Sequence, residues 1–338
     1  MNLLIIGKRA DASGISEGPV TAFESLAEGL REGTDEVAVF PDRRRARLRM
    51  YLSLLTQVVR RRDVINVHLA ANFGVLVGLL RPRSPRTVLT VHGYSPLESV
   101  DHPYNAFMHR LQIRYLFRNR IYVSSLIRER VESREGLSGG IVIPNAVRPL
   151  FTGDPGADAV KDIDVFSLCG YSRTKGSDVL LDALGMVGGR LSVVIAGHGS
   201  LSGSRVETTH HALVHAGPLA ASEVATMLAR TRMYVQPSLY ESFGIPVIEA
   251  LFAGVPAVVS TGAGVAEFLR DGHDALLVPP GDAQALAAAV RKILADPGFA
   301  AEIARNGRVT AERFTPRAVA ALYRKVFAAL RSRPGEGG

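Results

Sequence analysis

Short β-branched and aliphatic runs alternate with longer amphipathic runs along nearly the whole chain, and the alternation starts twice. In the first half NLLIIG, EVAVF, DVINVHLA, TVLTVHG, RIYVSS and GIVIPN are strand-like, while TAFESLAEGL and RLRMYLSLLTQVVRR between them are helix-like. Strands separated by helical crossovers cannot pair as hairpins, so the pattern predicts βαβ units around a parallel sheet. From Asp164 the rhythm restarts with DVFSLCG, LSVVIAGHG, ALVHAG, MYVQPS and PAVVS, again with helical runs between. The expectation is an α/β protein of two doubly wound, Rossmann-like domains facing a central cleft. The join is the stretch Arg148 to Asp162, rich in Gly, Pro and Asp and without apolar periodicity, which places the boundary near Leu150 and the domains at 1–150 and 151–315. Thr315 as N-cap and Pro316 at the first helical position open a last helix over about 316–330, expected to pack back onto the first domain.

Charge and composition narrow the function classes. The longest apolar stretch, around Phe73 to Leu80, is well short of a membrane span, and MNLLIIG is too short for a signal peptide, so a cytoplasmic protein is expected. Cys169 is the only cysteine, which excludes a disulfide framework and a thiolate metal cluster and leaves a buried, inert thiol. Residues 1–150 hold 22 Lys and Arg against 14 Asp and Glu, and 151–338 hold 18 against 18, so the whole net charge of +8 lies in the first half. It is concentrated in runs at Arg43 to Arg49, Arg60 to Arg62, Arg81 to Arg86 and His109 to Arg120. A solvated face is one reading of these runs. Reversible docking on an anionic membrane surface, at the inner face of the membrane, is the other. Aromatic residues are not interleaved with them in a stacking pattern, so no nucleic-acid partner is expected.

Ligands of doubly wound sheets bind beyond the carboxyl ends of the strands, which directs attention to strand-to-helix turns. One of them is PSLYESFGIPVIEALFAGVPAVVS, Pro237 to Ser260. MYVQPS ends a strand, Pro246 suits the first turn of the following helix, Glu241 falls in the turn and Glu249 at the end of the first helical turn. The backbone of Ser242, Phe243, Gly244 and Ile245 offers N–H groups to an anion. A phosphate and two hydroxyl-bearing rings would satisfy these features. A solvated loop acid and a dipole-complementing surface acid are the alternative.

The order P-S-x-x-E-x-F-G-x-P-x-x-E-A, filled by Pro237, Ser238, Glu241, Phe243, Gly244, Pro246, Glu249 and Ala250, then Gly254, Pro256 and Glu267, resembles the signature of glycosyltransferase family 4. Further landmarks of that family occur in order over nearly the whole chain: a Gly-rich turn after the first strand, a strand ending in His, an IPN turn, a K-G turn and a G-x-G turn. The resemblance implies a GT-B fold and a retaining enzyme that moves a sugar from a UDP- or GDP-linked donor to a hydroxyl acceptor, which could be a glycan, a lipid-linked molecule or a small molecule. It implies that Glu241 contacts the donor sugar and Glu249 the ribose hydroxyls. No cofactor and no catalytic metal are expected. A sugar-nucleotide epimerase or phosphorylase of the same fold, and a donor-binding module without catalysis, are the alternatives.

Departure of a nucleotide diphosphate requires positive charge around the phosphates. Arg173 and Lys175 in CGYSRTKG are placed for this, but the usual family order G-R-x-x-x-x-K-G is broken, because Gly170 stands where the Arg would. Arg173 is taken as its substitute. By resemblance His92 sits over the reacting centre, with His68 on the same rim. Gly14 and Gly18 form a turn for phosphate or acceptor, and Gly199 with Gly197 a close backbone approach without the G-x-G-x-x-G spacing of dinucleotide enzymes. Asn145 occupies an IPN turn in which Ala146 and Arg148 replace the usual Gly and Asp, and is read as mainly architectural. Asp162 and Asp164 form a D-x-D that precedes its strand and is read as a linker end.

Overall fold

The computed structural model describes residues 1–7, 18–33, 36–40, 55–58, 62–68, 71–94, 103–151, 160–199 and 212–332. They fall into two compact units. One takes the described residues through Ala146 together with those from Thr315 onward, and the other takes Val147–Phe314.

The first unit holds a six-stranded parallel sheet, built from β1 (Asn2–Ile6), β2 (Glu36–Phe40), β3 (Val64–His68), β4 (Thr87–Val91), β5 (Asn119–Tyr122) and β6 (Ile141–Val142) in the order β2-β1-β3-β4-β5-β6. Its helices are α1 (Gly18–Arg31), α2 (Ala71–Leu80), α3 (Pro103–Leu111), which runs into a π-helical turn at Gln112–Leu116, and α4 (Ser125–Glu135). β3 and β4 are buried along their whole length, Asn66, His68, Thr87 and Thr90 included.

The last helix, α10 (Pro316–Arg331), belongs to this unit. The Thr315 hydroxyl accepts from the Ala318 N–H and Pro316 fills the first turn, where it forfeits no hydrogen bond. Val319, Tyr323, Phe327 and Leu330 repeat at helical spacing and close over Leu3, Ile5, Phe23, Leu26 and Leu30. α10 crosses α1 so closely that a Cβ on Gly29 would stand 2.1 Å from the Pro316 carbonyl oxygen. Arg324 donates to the carbonyls of Gly29 (3.0 Å) and Leu30 (2.9 Å), satisfying the end of α1.

The second unit repeats the architecture with β7 (Ile163–Ser167), β8 (Ser192–Ala196), β9 (Ala212–Ala216), β10 (Thr231–Gln236), β11 (Ala257–Ser260) and β12 (Leu276–Val278), in the parallel order β12-β11-β10-β7-β8-β9. Helices α5 (Ser177–Gly185), α6 (Ala221–Ala229), α7 (Ile245–Phe252), α8 (Ala283–Ala295) and α9 (Pro297–Ala311) cover it. In both units the order reverses beside the first strand, the topology that leaves a ligand crevice at the carboxyl ends. No described helix is long and apolar enough to cross a membrane.

Candidate active site

In the second unit, the turn between β10 and α7 is fastened from two sides. The Thr174 carbonyl accepts from the N–H groups of Leu239 (2.9 Å) and Tyr240 (3.1 Å), while Glu241 donates to the Gly262 carbonyl (3.0 Å) and accepts from Gly264 N–H (2.9 Å). Gly244, with φ of 107°, caps the start of α7, and Phe243 anchors the turn against Phe268 and Phe314, each at a ring separation of 6.0 Å. The first N–H groups of α7 have no acceptor within the helix, so its N-terminus favours negative charge.

The two acids of this turn differ sharply in environment. Glu241 is partly exposed, and its Oε2 accepts a hydrogen bond from the Lys175 ammonium. Glu249 is fully buried on α7. Its Oε1 accepts from Arg148 Nε (2.7 Å) and Nη2 (2.6 Å), while its Oε2 has no hydrogen-bond partner. Burial raises the carboxyl above its usual range and the Arg148 charge opposes that rise. The surface-acid alternative does not hold for Glu249. Sequence reading missed Arg148, treating it only as the residue that replaces the usual Asp of an IPN turn. The available signal was a charge reversal in a motif whose fold buries an acid elsewhere.

Arg173 lies at the exposed apex of the Ser172–Lys175 turn, and among the described residues its guanidinium makes no hydrogen bond or ion pair. The structure explains why the cation is not at Gly170. That residue has φ of 54°, and a Cβ on it would stand 2.4 Å from the His198 carbonyl oxygen. The two strand-end turns interlock there: Gly170 N–H donates to Ala196 and Tyr171 N–H to His198, both at 2.9 Å. A Cβ on Gly199 would meet the Tyr171 carbonyl at 2.7 Å, so this glycine serves turn-on-turn packing. Cys169 beside them is buried, its thiol pushed up to about 11 by that burial. Asp162 and Asp164 pair with Arg230 and Arg232 respectively. Among the described residues no group of three His, Cys, Asp or Glu side chains is arranged to hold a metal ion.

In the first unit, the strand-end histidines form a directed chain. His68 Nδ1 and His92 Nε2 are 2.7 Å apart, His92 Nδ1 and Asn145 Oδ1 3.0 Å, and Asn66 Nδ2 and His68 Nε2 3.0 Å. Because Asn145 Oδ1 only accepts, His92 carries its proton on Nδ1 and receives the His68 proton donor at Nε2; His68 Nε2 then accepts from Asn66. Thr90 continues the chain by donating to Asn66 Oδ1 at 2.9 Å. Burial holds His92 down to about 4, against the opposing Asn145 bond, and holds His68 well below 6.5, so both rings are neutral at pH 7. Asn145 thus orients a ring as well as shaping a turn. Gly14 lies outside the described residues, and Gly18 begins α1.

The basic runs are more structural than their charge count suggests. Arg43 to Arg49, Arg60 and Arg61 lie outside the described residues. Arg62 is not a solvated cation: it is buried and donates to Asn2 and Gln57. Arg81 donates to the Val58 carbonyl at 3.1 Å, and Arg110 and Arg114 both pair with Glu135.

Residues 157–310 match the family described as Glycosyl transferases group 1. A glycogen synthase of Mycobacterium tuberculosis is 35% identical over 122 residues, which is 35% of this chain and 30% of that protein. The chain therefore spans about a third of the length of that relative. Two solved structures cover 97% of the chain at a TM-score of 0.73. One is a sucrose-phosphate synthase from Thermosynechococcus elongatus at 20% identity, covered over 99% of its length. The other is Anabaena HepE in complex with UDP and glucose, at 18% identity and 100% of its length. The fold is GT-B.

Proposed function

We propose that the chain is a retaining glycosyltransferase of family 4 that moves a sugar from a UDP- or GDP-linked donor to a hydroxyl acceptor. The observation that carries this reading is the buried Oε2 of Glu249, an acceptor with no hydrogen-bond partner at the start of α7. A buried acceptor without a donor costs about 1–3 kcal/mol, and a ribose hydroxyl supplies the missing donor. Glu241 accepts from a hydroxyl of the transferred sugar. Lys175, Arg173 and the N-terminus of α7 meet the diphosphate, where negative charge grows as the bond to the anomeric carbon breaks. The acceptor oxygen bonds to that carbon on the same face, and its proton passes to the departing phosphate oxygen. Charge stabilisation in this scheme needs no metal. The neutral His68–His92–Asn145 chain fixes the first unit's strand ends, where the acceptor is bound. The acceptor is a lipid-linked or anionic glycan presented at the inner membrane face, a reading supported by the excess positive charge of the first 150 residues.

Calorimetry with UDP-glucose, GDP-mannose and the free diphosphates tests the reading. Binding of one nucleotide series, with the sugar nucleotide and its free diphosphate both weakened in Glu249→Gln, is expected. Failure of every nucleotide to bind, or binding untouched by Glu249→Gln, overturns it.

A further inference from the structure

A cavity of about 460 Å³ opens in the first unit at the amino ends of β4 and β5, the edge of the sheet opposite His92. Arg83, Arg114, Arg118 and Arg120 line it, Val326 and Leu330 of α10 form an apolar wall, and no Asp or Glu is among its lining residues.

Two of these arginines are fixed by main-chain acceptors. Arg120 donates to the carbonyls of Phe117 (3.3 Å) and Ser138 (2.9 Å), and Arg114 to that of Glu135 (3.1 Å). A guanidinium has five N–H donors, so these bonds set its position and leave donors over. Arg120 Nε is buried without an acceptor. Arg83 is the only non-glycine residue among those described with a positive φ, 50°, and its N–H is tied to the Leu116 carbonyl at 3.0 Å. Its guanidinium makes no hydrogen bond or ion pair with the described residues. Glu135, next to the lining residue Gly136, is buried and already shared by Arg110, Arg114 and the Tyr94 hydroxyl, and Glu132 accepts from the Gly140 N–H at 2.9 Å. Glu135 offsets Arg114 in part, but no Asp or Glu lines the cavity to offset Arg83 and Arg120, and an anion bound there completes the charge balance.

We propose that this cavity is a binding site for a phosphate monoester, separate from the donor site. Several oxygens and up to two negative charges match a set of preorganised guanidiniums, which bind phosphate in bidentate fashion; a carboxylate offers too few acceptors. The apolar wall takes the organic part of the ester. The source is a soluble phosphorylated metabolite or a lipid headgroup. Phe107 and Tyr115, both exposed on the neighbouring α3 and π turn, make the lipid source testable with the same site. This inference goes beyond the proposed transfer reaction and does not depend on it.

The full-length protein, with UDP added in excess to fill the donor site, is titrated with glycerol 3-phosphate, with glycerol as the uncharged control. In parallel it is sedimented with phosphatidylcholine vesicles containing or lacking phosphatidic acid, whose headgroup is the same monoester. Arg83→Asn, which tolerates the left-handed backbone, is combined with Arg118→Gln to remove two charges from the rim. Binding of glycerol 3-phosphate that falls at least roughly tenfold in the double variant supports the site with a soluble ligand. Binding to phosphatidic acid vesicles with the same loss supports it with a lipid ligand. Neither probe binding, or either binding unchanged in the double variant, overturns it. UDP binding by the same variants reports separately on the donor site, and an unchanged melting temperature shows that the fold is intact.

Discussion

Arg148 and Glu249, 101 residues apart, meet as a cation and a buried carboxylate whose second oxygen is left without a donor. Burial raises the Glu249 carboxyl, and the Arg148 charge opposes that rise. Removing one partner of such a pair costs about 3–5 kcal/mol, because the other charge stays buried. Arg148→Met is therefore expected to lower stability by that order. The sign with pH follows from the raised pKa of Glu249. The native acid holds its proton more readily than the unfolded chain does, so its contribution is favourable at low pH and is lost as pH rises through the native value. Arg148→Met widens that gap, and the variant should recover part of its lost stability on acidification from pH 7 towards 5. Arg148→Met combined with Glu249→Leu should regain most of it at all pH values. Denaturant midpoints of the three proteins across pH check this; equal losses in the single and double variants would show that the pair is not what is being measured.

The first unit should weaken as pH falls for a different reason. Both strand-end histidines are neutral in the native state, whereas an unfolded imidazole takes up a proton near 6.5. Stability is then fully present above about 6.5 and declines as pH falls towards about 4, by about 3 kcal/mol for His92 alone. Ring NMR signals of His92 that titrate near 6.5 would contradict the buried chain. In Asn145→Ala the bond that favours the charged ring is lost, and the apparent value should drop further.

Restoring the family pattern at Gly170 should harm the protein. Gly170→Ala places a Cβ against the His198 carbonyl in a left-handed backbone, at an expected cost of about 2 kcal/mol or more. Gly170→Arg should melt earlier still without binding free UDP any tighter. Thermal denaturation and calorimetry on the two variants decide the point.

Much of the fold was legible because local chemistry wrote it. Short β-branched runs such as VINVH and TVLTV favour strands, and Thr315 with Pro316 supplies the cap and first turn of a helix. The turn holding Glu241 and the helix holding Glu249 were legible from spacing and from Pro246. Their partners were not. The meeting of Arg148 with Glu249 and of His68 with His92 and Asn145 depends on which strand ends the topology brings together, and nothing in a local pattern states that. Arg62 misled for a related reason: its run of three arginines reads as a solvated cluster, yet its neighbours Asn2 and Gln57 draw it inside.

Kinetics should separate the residues around the donor turn. Glu241→Gln should lower turnover of the slow donor hydrolysis that glycosyltransferases carry out without acceptor, by roughly tenfold or more, whereas Glu249→Gln should mostly raise KM. Lys175→Ala should weaken free UDP by about 1.5–3 kcal/mol, and Arg173→Ala by a similar amount if the exposed guanidinium folds onto the phosphates. Indistinguishable, wild-type-like behaviour in all four variants would end the assignment of this turn.

Val147 N–H donates to the Phe314 carbonyl at 2.9 Å, so the two ends of the 147–314 segment are clasped together while α10 returns to the first unit. Topologically the 147–314 segment is a cassette. A segment whose ends already touch can be cut out without leaving a gap to span, and the first unit needs only a short Gly-Ser bridge to close behind it. Cassettes from other proteins of this fold could be exchanged at these two residues, leaving the first unit and its closing helix untouched.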